Sequence, residues 1–557
     1  MNRTDLMARL CWVAIGMVVA LAYLNGLDAP FVYDDRIEVV GNGTIRDLGQ
    51  WQAIVQYNVS RMLLVWTYAW NFHSYGLNPT GYHVFSLLVH LMAIGAALSM
   101  ARSLGRLGGS AFPLRAAVGA VGLWAAHPMG VEAVTYITGR SESLCALFCF
   151  GAMGLWATAL LAEREGKSGA WSRVFGLCCA VAALLTKEVA GMLPLVLLLM
   201  EMFFGPEKKP SYRRPRWAWF APFALIVGAA VWGRYTYAGA LLPREVDRAL
   251  PIQLTTQAEV WLRYVQLWFV PVGQTLFHHV PDSAPLTGRG ALVISGWLAM
   301  IGGGVWWGRR RPLAGFALLC GALFLIPSSS VVPLKENMAE HRAYALGLYL
   351  FLAVAWSVAG VRRRRWVWAS AVALPLLVAC TVSRNQVWSS EEALWMEATE
   401  RNPGLADAWY GLGDARRFQA DFGGSIDAYE RAIELNAGHL DAWNNLGISK
   451  AQLGDLSGAR DAWHSALRVR PTYCKAHSNL GGLALEQGDL EEAIVELYTT
   501  LEHCPYSASA HYRLGTIFYE DRRNTKRAVQ HYEVLLKLEP NHSRAAQVRE
   551  RLLELTW

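Results

Sequence analysis

The residues best suited to chemistry in this 557-residue chain are ionisable groups at the edges of long apolar runs. Asp34-Asp35-Arg36 follow the first run. His127, Glu132, Arg140 and Glu142 occupy the segment after the third. Lys187-Glu188 form a tight turn after the fifth, wedged between Leu184-Leu185-Thr186 and Val189-Ala190-Gly191-Met192. Arg234 and Arg244 follow the seventh run, and Lys335, Glu336, Glu340, His341 and Arg342 follow the ninth. Charges at the edge of a membrane domain are costly unless they are hydrated, paired or functional. Any one of these groups alone reads as a solvated loop residue. Five loops carrying charge on one face read together as a site. Cations hold a phosphate, and a carboxylate accepts the proton of an attacking hydroxyl. Neighbouring carboxylates raise one another's pKa, so Asp34 and Asp35 are the candidate catalytic pair. Arg140, Lys187 and Arg342 are the candidate ligands of a donor phosphate. Arg36, His127, Glu132, Glu142, Glu188, Glu340 and His341 are candidate supports, with Lys187 and Glu188 expected to partner each other or a ligand. Such a pocket suits a sugar activated as a polyprenyl phosphate, which needs no ATP, no cofactor and no divalent metal. No P-loop, HExxH, GxSxG or Rossmann glycine pattern is present.

The elements that must position these residues are membrane helices. The chain is 54% hydrophobic with 24 Trp and only 17% charged residues, against about 25% charged in soluble domains. The apolar excess ends near Val382, which places a boundary between residues 1–384 and 385–557. Counting runs of ~20 residues gives about 11 spans, centred near Val18, Met92, Ala120, Gly154, Ala180, Leu197, Ile226, Leu298, Leu319, Leu350 and Val372. Val260 to Val272 is shorter, contains Arg263 and Gln266, and reads as a re-entrant or interfacial helix. The net charge of +7 sits in clusters between the runs: Arg102, Arg106 and Arg115; Arg164 and Lys167; Lys208 to Arg216; Arg309 to Arg311; Arg362 to Arg365. That distribution fits membrane topology rather than nucleic-acid binding. Placing the basic loops in the cytoplasm puts the N-terminus inside. The acidic pair and everything after the last span then lie outside, in a periplasm or lumen. The expected class is an integral, multi-pass protein of a bacterial inner membrane or an ER-like membrane, with bilayer lipid as its surroundings.

The C-terminal part repeats itself. Ala408-Trp409 precedes Leu412-Gly413, and the same register recurs at Ala442, Ala476 and Ala510, in steps of 34 residues. That is the tetratricopeptide (TPR) period. Glu391 to Arg401 reads as a leading half-repeat and Asn541 to Leu555 as a capping helix. TPR arrays bind peptides or partners in a concave face, so an acceptor or partner protein is expected there. Seven of the nine Cys lie in apolar runs and read as small hydrophobes. Cys474 and Cys504 lie in adjacent repeats. Free thiols are the favoured reading, with a bond open to them if the array sits in an oxidising compartment.

Several motifs together resemble one family. They are Phe31-Val32-Tyr33-Asp34-Asp35-Arg36, Gly76-Leu77-Asn78-Pro79-Thr80-Gly81-Tyr82-His83, His127-Pro128-Met129-Gly130-Val131-Glu132-Ala133-Val134 with Gly139-Arg140, Thr186-Lys187-Glu188 and Glu340-His341-Arg342. The sequence resembles the transmembrane and TPR-repeat-containing O-mannosyltransferases, which are GT-C glycosyltransferases. The resemblance implies an all-α fold: a polytopic GT-C-like helix bundle followed by a TPR α-solenoid. It also implies inverting transfer of mannose from a polyprenyl- or dolichyl-phosphate donor to Ser or Thr hydroxyls of exported proteins. The GT-C acidic pair maps onto Asp34 and Asp35. The chain departs from the family in having about four repeats where relatives often carry more, and in reading His341-Arg342-Ala343. Two alternatives stay open: a related transferase acting on lipid or cell-wall glycan, and a non-enzymatic membrane scaffold.

Overall fold

The computed structural model describes residues 3–109, 114–205, 216–225, 228, 232, 248–282, 288–327, 334, 336–520, 524–539 and 544–556. Arg234, Arg244, Lys335, Lys208 to Arg214 and Ile226 lie outside the described residues, as do the side chains of Arg115 and Arg362 to Arg364. Among the described residues all regular structure is helical. The chain divides into two compact units, Met1–Leu394 and Trp395–Trp557.

The first unit contains α1 (Arg3–Tyr23), α2 (Trp51–Tyr57), α3 (Met62–Tyr75), α4 (Pro79–Leu107), α5 (Leu114–Ala125), α6 (Val131–Val134), α7 (Arg140–Arg164), α8 (Ala170–Leu184) and α9 (Leu193–Phe204), then α10 (Leu250–Phe269), α11 (Gly288–Gly308), α12 (Pro312–Leu325) and α13 (Tyr344–Val387). Pro79–Leu107, Arg140–Arg164 and Arg365–Val387 are long and apolar enough to cross a membrane. Trp12–Gly26, Ala116–Ala125, Ala170–Leu184 and Pro312–Leu325 are shorter apolar helices.

Contacts sort the helix ends into two sets. At one end Arg164 donates to the carbonyls of Leu107 and Phe204, both at 2.7 Å, drawing the C-termini of α4, α7 and α9 together. A cation there complements the helix dipoles. At the other end His90 bonds the carbonyl of Ala125 at 3.0 Å and Tyr344 Oη at 2.5 Å. The helical stretch α13 doubles back. Trp124 Nε1 donates to the Tyr344 carbonyl at 2.9 Å, and Thr381 Oγ1 donates to the Ala126 carbonyl at 2.8 Å. A straight helix would hold Tyr344 and Thr381 roughly 55 Å apart at ~1.5 Å per residue. The reversal falls between Phe351, whose ring meets His127, and Trp366, which bonds Ala116.

The stretch around Val260 to Val272 belongs to the 20-residue helix α10. Gln257 Nε2, Tyr264 Oη and Trp268 Nε1 donate in turn to the carbonyls of Asn337, Ala339 and Ala343. Successive turns of α10 therefore run beside one short segment at the end of the bundle that holds His341.

The second unit continues from α14 (Glu391–Arg401), which straddles the division, into helix pairs: α15 (Ala406–Phe418) with α16 (Phe422–Leu435), α17 (Leu440–Gln452) with α18 (Leu456–Val469), α19 (Cys474–Gln487) with α20 (Leu490–His503), and α21 (Ala508–Glu520) with α22 (Thr525–Leu538). Helix α23 (Ala545–Thr556) follows. The register explains the pairing. Asp421, Asp455 and Asp489, 34 residues apart, each accept a backbone N–H three residues on and cap the second helix of a pair. A Cβ on Gly413, Gly447 or Gly515 would come within 2.4–2.6 Å of Tyr429, Trp463 or Tyr532, so only glycine lets the paired helices meet. Cys474 and Cys504 are disulfide-bonded, against the expectation of free thiols. They stand at the start of α19 and just past the end of α20, which brings their Cα atoms within 6.1 Å.

Candidate active site

The acidic pair splits into two roles. Asp35 is fully buried. Its carboxylate accepts from Val32 N at 3.3 Å, from Thr138 N at 2.8 Å and from the Thr138 hydroxyl. Burial pushes its carboxyl up to about 7 against the pull of those donors. Asp35 thereby staples the first connecting segment to the residues just before Arg140. Asp34 faces solvent. Its N–H donates to Tyr136 Oη at 3.3 Å. Crowding by surrounding protein raises its carboxyl to about 6, with the nearby Glu336 charge adding to the shift. Water reaches this side chain, although the surrounding protein displaces part of its hydration. Tyr33, just before the pair, has φ 49, a left-handed conformation that costs a non-glycine residue energy. Its hydroxyl donates to Glu336 at 2.8 Å and its ring packs edge-on against Phe277. Strain, hydroxyl and ring together turn Asp34 outward.

A second layer of ionisable residues lies behind Asp34 and Tyr136. Glu132 is buried and bonds His341 twice, through His341 N at 3.1 Å and Nδ1 at 2.9 Å. Burial raises the Glu132 carboxyl and lowers His341 to about 3, the Lys187 charge reinforcing the latter. Burial thus disfavours the charged form of both partners. Glu340 is held by Gln274 at 2.6 Å, Thr275 N at 2.9 Å and His278 at 2.8 Å. Burial opposes its ionisation, but His278 keeps it below the usual range. His127 is buried against Trp268, accepts from Met129 N at 3.2 Å through Nδ1, and is lowered by burial to about 3. It serves as a neutral turn cap.

The cations are arranged otherwise than the sequence suggests. Lys187 and Glu188 do not pair with each other. Lys187 is extended (φ −159, ψ 143), so the two side chains diverge. Lys187 Nζ reaches Glu142 at 2.7 Å and Ser141 Oγ at 3.2 Å. Glu188 takes Arg61 Nε at 3.3 Å and Nη2 at 3.1 Å, with Ser60 Oγ at 3.1 Å. Burial opposes ionisation of Glu188, but the Arg61 charge and hydrogen bonds outweigh it and bring the carboxyl to about 2. Arg342 donates to the Glu336 carbonyl at 2.9 Å and flanks its carboxylate at 3.9 Å. Arg36 pairs with Glu391.

Arg140 is the exception among the proposed phosphate ligands. It is completely buried, and its guanidinium donates to Ser86 at 2.9 Å, Thr67 at 3.3 Å, Asn71 at 2.7 Å and the Tyr82 carbonyl at 2.8 Å. It braces α3 and α4 against α7 and offers nothing to a ligand. Gly139 before it has no room for a side chain, because a Cβ would lie 1.9 Å from the Glu132 carbonyl oxygen. The structure thus brings Asp34, Lys187, Glu188, Glu132, His341 and Arg342 to one end of the bundle, with Asp35, Arg140 and His127 as internal supports. Arg61, Tyr136, Thr138 and His278 join them unanticipated. Arg61 carried one signal: a cation directly before the apolar run Met62-Leu63-Leu64-Val65.

Tetratricopeptide-repeat family profiles match residues 410–463 and 444–508, and a second such profile matches 509–542. The second unit is a TPR solenoid. The chain is 33% identical over 183 residues to "Protein O-mannosyl-transferase Tmtc1" of Drosophila melanogaster, covering 30% of this chain and 20% of that one. Over a longer stretch, it is 22% identical across 519 residues to "Protein O-mannosyl-transferase Tmtc3" of the same species, covering 76% of this chain and 54% of that one. The mouse "Protein O-mannosyl-transferase TMTC3" is 22% identical over 477 residues, 73% and 49% of the two chains. The matched part thus spans about a fifth to a half of these relatives. Among solved structures, "Crystal structure of MamA" aligns at 19% identity and a TM-score of 0.25, over 28% of this chain and 89% of that one. The chain is similar over part of its length to TMTC-type protein O-mannosyl-transferases, and it carries TPR repeats.

Proposed function

We propose that this protein is an integral membrane glycosyltransferase that moves a sugar, mannose by kinship, from a polyprenyl-phosphate donor to Ser or Thr hydroxyls of exported proteins. The observation that carries the reading is the outward-facing Asp34, beside the half-exposed Arg61 and backed by a wall of paired charges. A carboxyl of about 6 is ionised at neutral pH and still basic enough to take a proton. In the transfer, Asp34 accepts the proton of the acceptor hydroxyl as its oxygen bonds to the anomeric carbon. The bond from that carbon to the phosphate oxygen breaks, its electron pair leaves with the phosphate, and the configuration inverts. Asp35, bound on both oxygens, fixes the loop. The TPR unit presents the acceptor. The Cys474–Cys504 bond supports an oxidising compartment for that unit, consistent with a periplasmic or lumenal side.

The test is sugar transfer in membranes from radiolabelled polyprenyl-phosphate-mannose to periplasmic or lumenal proteins. Label on Ser or Thr that alkaline β-elimination releases is the expected result. Label on lipid or glycan instead moves the acceptor to the alternative class. Absence of label from every polyprenyl-phosphate sugar contradicts a transferase.

A further inference from the structure

Sequence reasoning placed the donor phosphate on Arg140, Lys187 and Arg342, yet the structure leaves these cations little surface. Arg140 is sealed inside. Lys187 and Arg342 expose only 9% and 11% of their side chains. Arg61 exposes 38%. It sits in the short turn Val59–Arg61 before α3, and that turn is pinned from both sides. Leu63 N donates to the Leu185 carbonyl at 3.0 Å, tying it to the Lys187-Glu188 turn. Tyr57 Oη donates to Glu38 at 3.3 Å, and Glu38 N donates to the Asp34 carbonyl at 2.8 Å, tying it to the acidic turn.

We propose that Arg61 is the phosphate-binding residue of the site, gripping the phosphate of an isoprenoid lipid through the edge of its guanidinium turned away from Glu188. Glu188 takes Nε and Nη2 and is itself held by Ser60. Nη1 makes no hydrogen bond to a described residue. A guanidinium clamped along one edge loses little freedom on binding a phosphate along the other. The Arg61 charge also reaches Asp34, and the hydrogen bonds through Tyr57 and Glu38 tie the Arg61 turn to the turn that carries the proposed base. Because the Arg61–Glu188 pair is electrically neutral overall, attraction comes from directed N–H donors rather than net charge, and binding should depend weakly on salt. This assignment rests on the phosphate-donor reading above.

The test is equilibrium binding to the full-length protein in detergent, with three radiolabelled probes: a polyprenyl phosphate, the matching polyprenol and inorganic phosphate. Arg61→Gln should weaken the polyprenyl phosphate about tenfold, which corresponds to ~1.4 kcal/mol, and leave the polyprenol unchanged. Arg61→Lys, which keeps the charge and loses the fork, should fall between. It also carries the test if Arg61→Gln fails to melt cooperatively. Equal affinity of wild type and both variants for polyprenyl phosphate overturns the assignment and leaves the transferase reading standing. Binding of inorganic phosphate that needs Arg61, with no binding of the lipid phosphate, keeps the anion site and removes the lipid donor. No binding of either phosphate by the wild type overturns the assignment.

Discussion

Replacing Asp35 by Asn should damage the fold rather than the chemistry. The carboxylate lies in a site closed to solvent and accepts three hydrogen bonds, two at one oxygen from Thr138 and one at the other from Val32 N. Asn offers one acceptor oxygen and one NH2 donor. If its oxygen keeps both Thr138 bonds, its NH2 faces the Val32 N–H, and two donors oppose each other in a dry site. An unsatisfied buried donor costs about 1–3 kcal/mol. The measurement is unfolding of the purified protein in mixed micelles at pH 8, where Asp35 with its carboxyl near 7 is ionised at a burial cost that Asn removes, so the loss read is what the opposed donors cost beyond that relief. Asp35→Asn should lose about 1–3 kcal/mol, while Asp34→Asn, exposed and lightly bonded, should stay within about 0.5 kcal/mol of wild type. Equal destabilisation by the two substitutions, or an Asp35→Asn protein as stable as wild type, would refute the division of roles.

Three further outcomes are expected. Transfer should rise with pH through about 6 if Asp34 is the proposed base, because its raised carboxyl is protonated below that value; a rate independent of pH from 5 to 8 contradicts a base at this position. Gly139→Ala should lower the folded yield and cost at least the ~1–3 kcal/mol of an overpacked site, because the added methyl meets the Glu132 carbonyl oxygen at 1.9 Å; unchanged yield and melting would show that the segment relaxes freely. Cys474 and Cys504 should resist maleimide in unfolded, non-reduced protein and label after reduction; labelling without reductant would show them free.

Much of the fold was legible because its signals are local. Small residues at 34-residue steps announce helix pairs, and Gly413, Gly447 and Gly515 stand where aromatic rings press from the second helix, with Leu497 in that place at Gly481. What escaped was pairing across long sequence distances. Arg140 reads as a loop cation after Gly139. Its burial was signalled only by polar residues at helical spacing in apolar helices, Thr67 with Asn71 and Tyr82 with Ser86, which together form its cage. Lys187 and Glu188 invited pairing by adjacency, but neighbouring side chains on extended backbone point apart. Their partners, Glu142 and Arg61, lie 45 and 127 residues away in sequence. Asp34 and Asp35 look equivalent as letters. Only the left-handed turn at Tyr33 and the donors of Thr138 decide which faces inward. The disulfide depended on a compartment that composition does not state.

The central claim is that Asp34 is the base of a sugar transfer. It is tested most directly by single-turnover transfer from polyprenyl-phosphate-mannose to a Ser- or Thr-containing acceptor, with wild type and Asp34→Asn compared at equal donor occupancy. Loss of a general base should slow the variant about 10²- to 10⁴-fold without loss of donor binding. A variant that transfers at the wild-type rate would contradict the account.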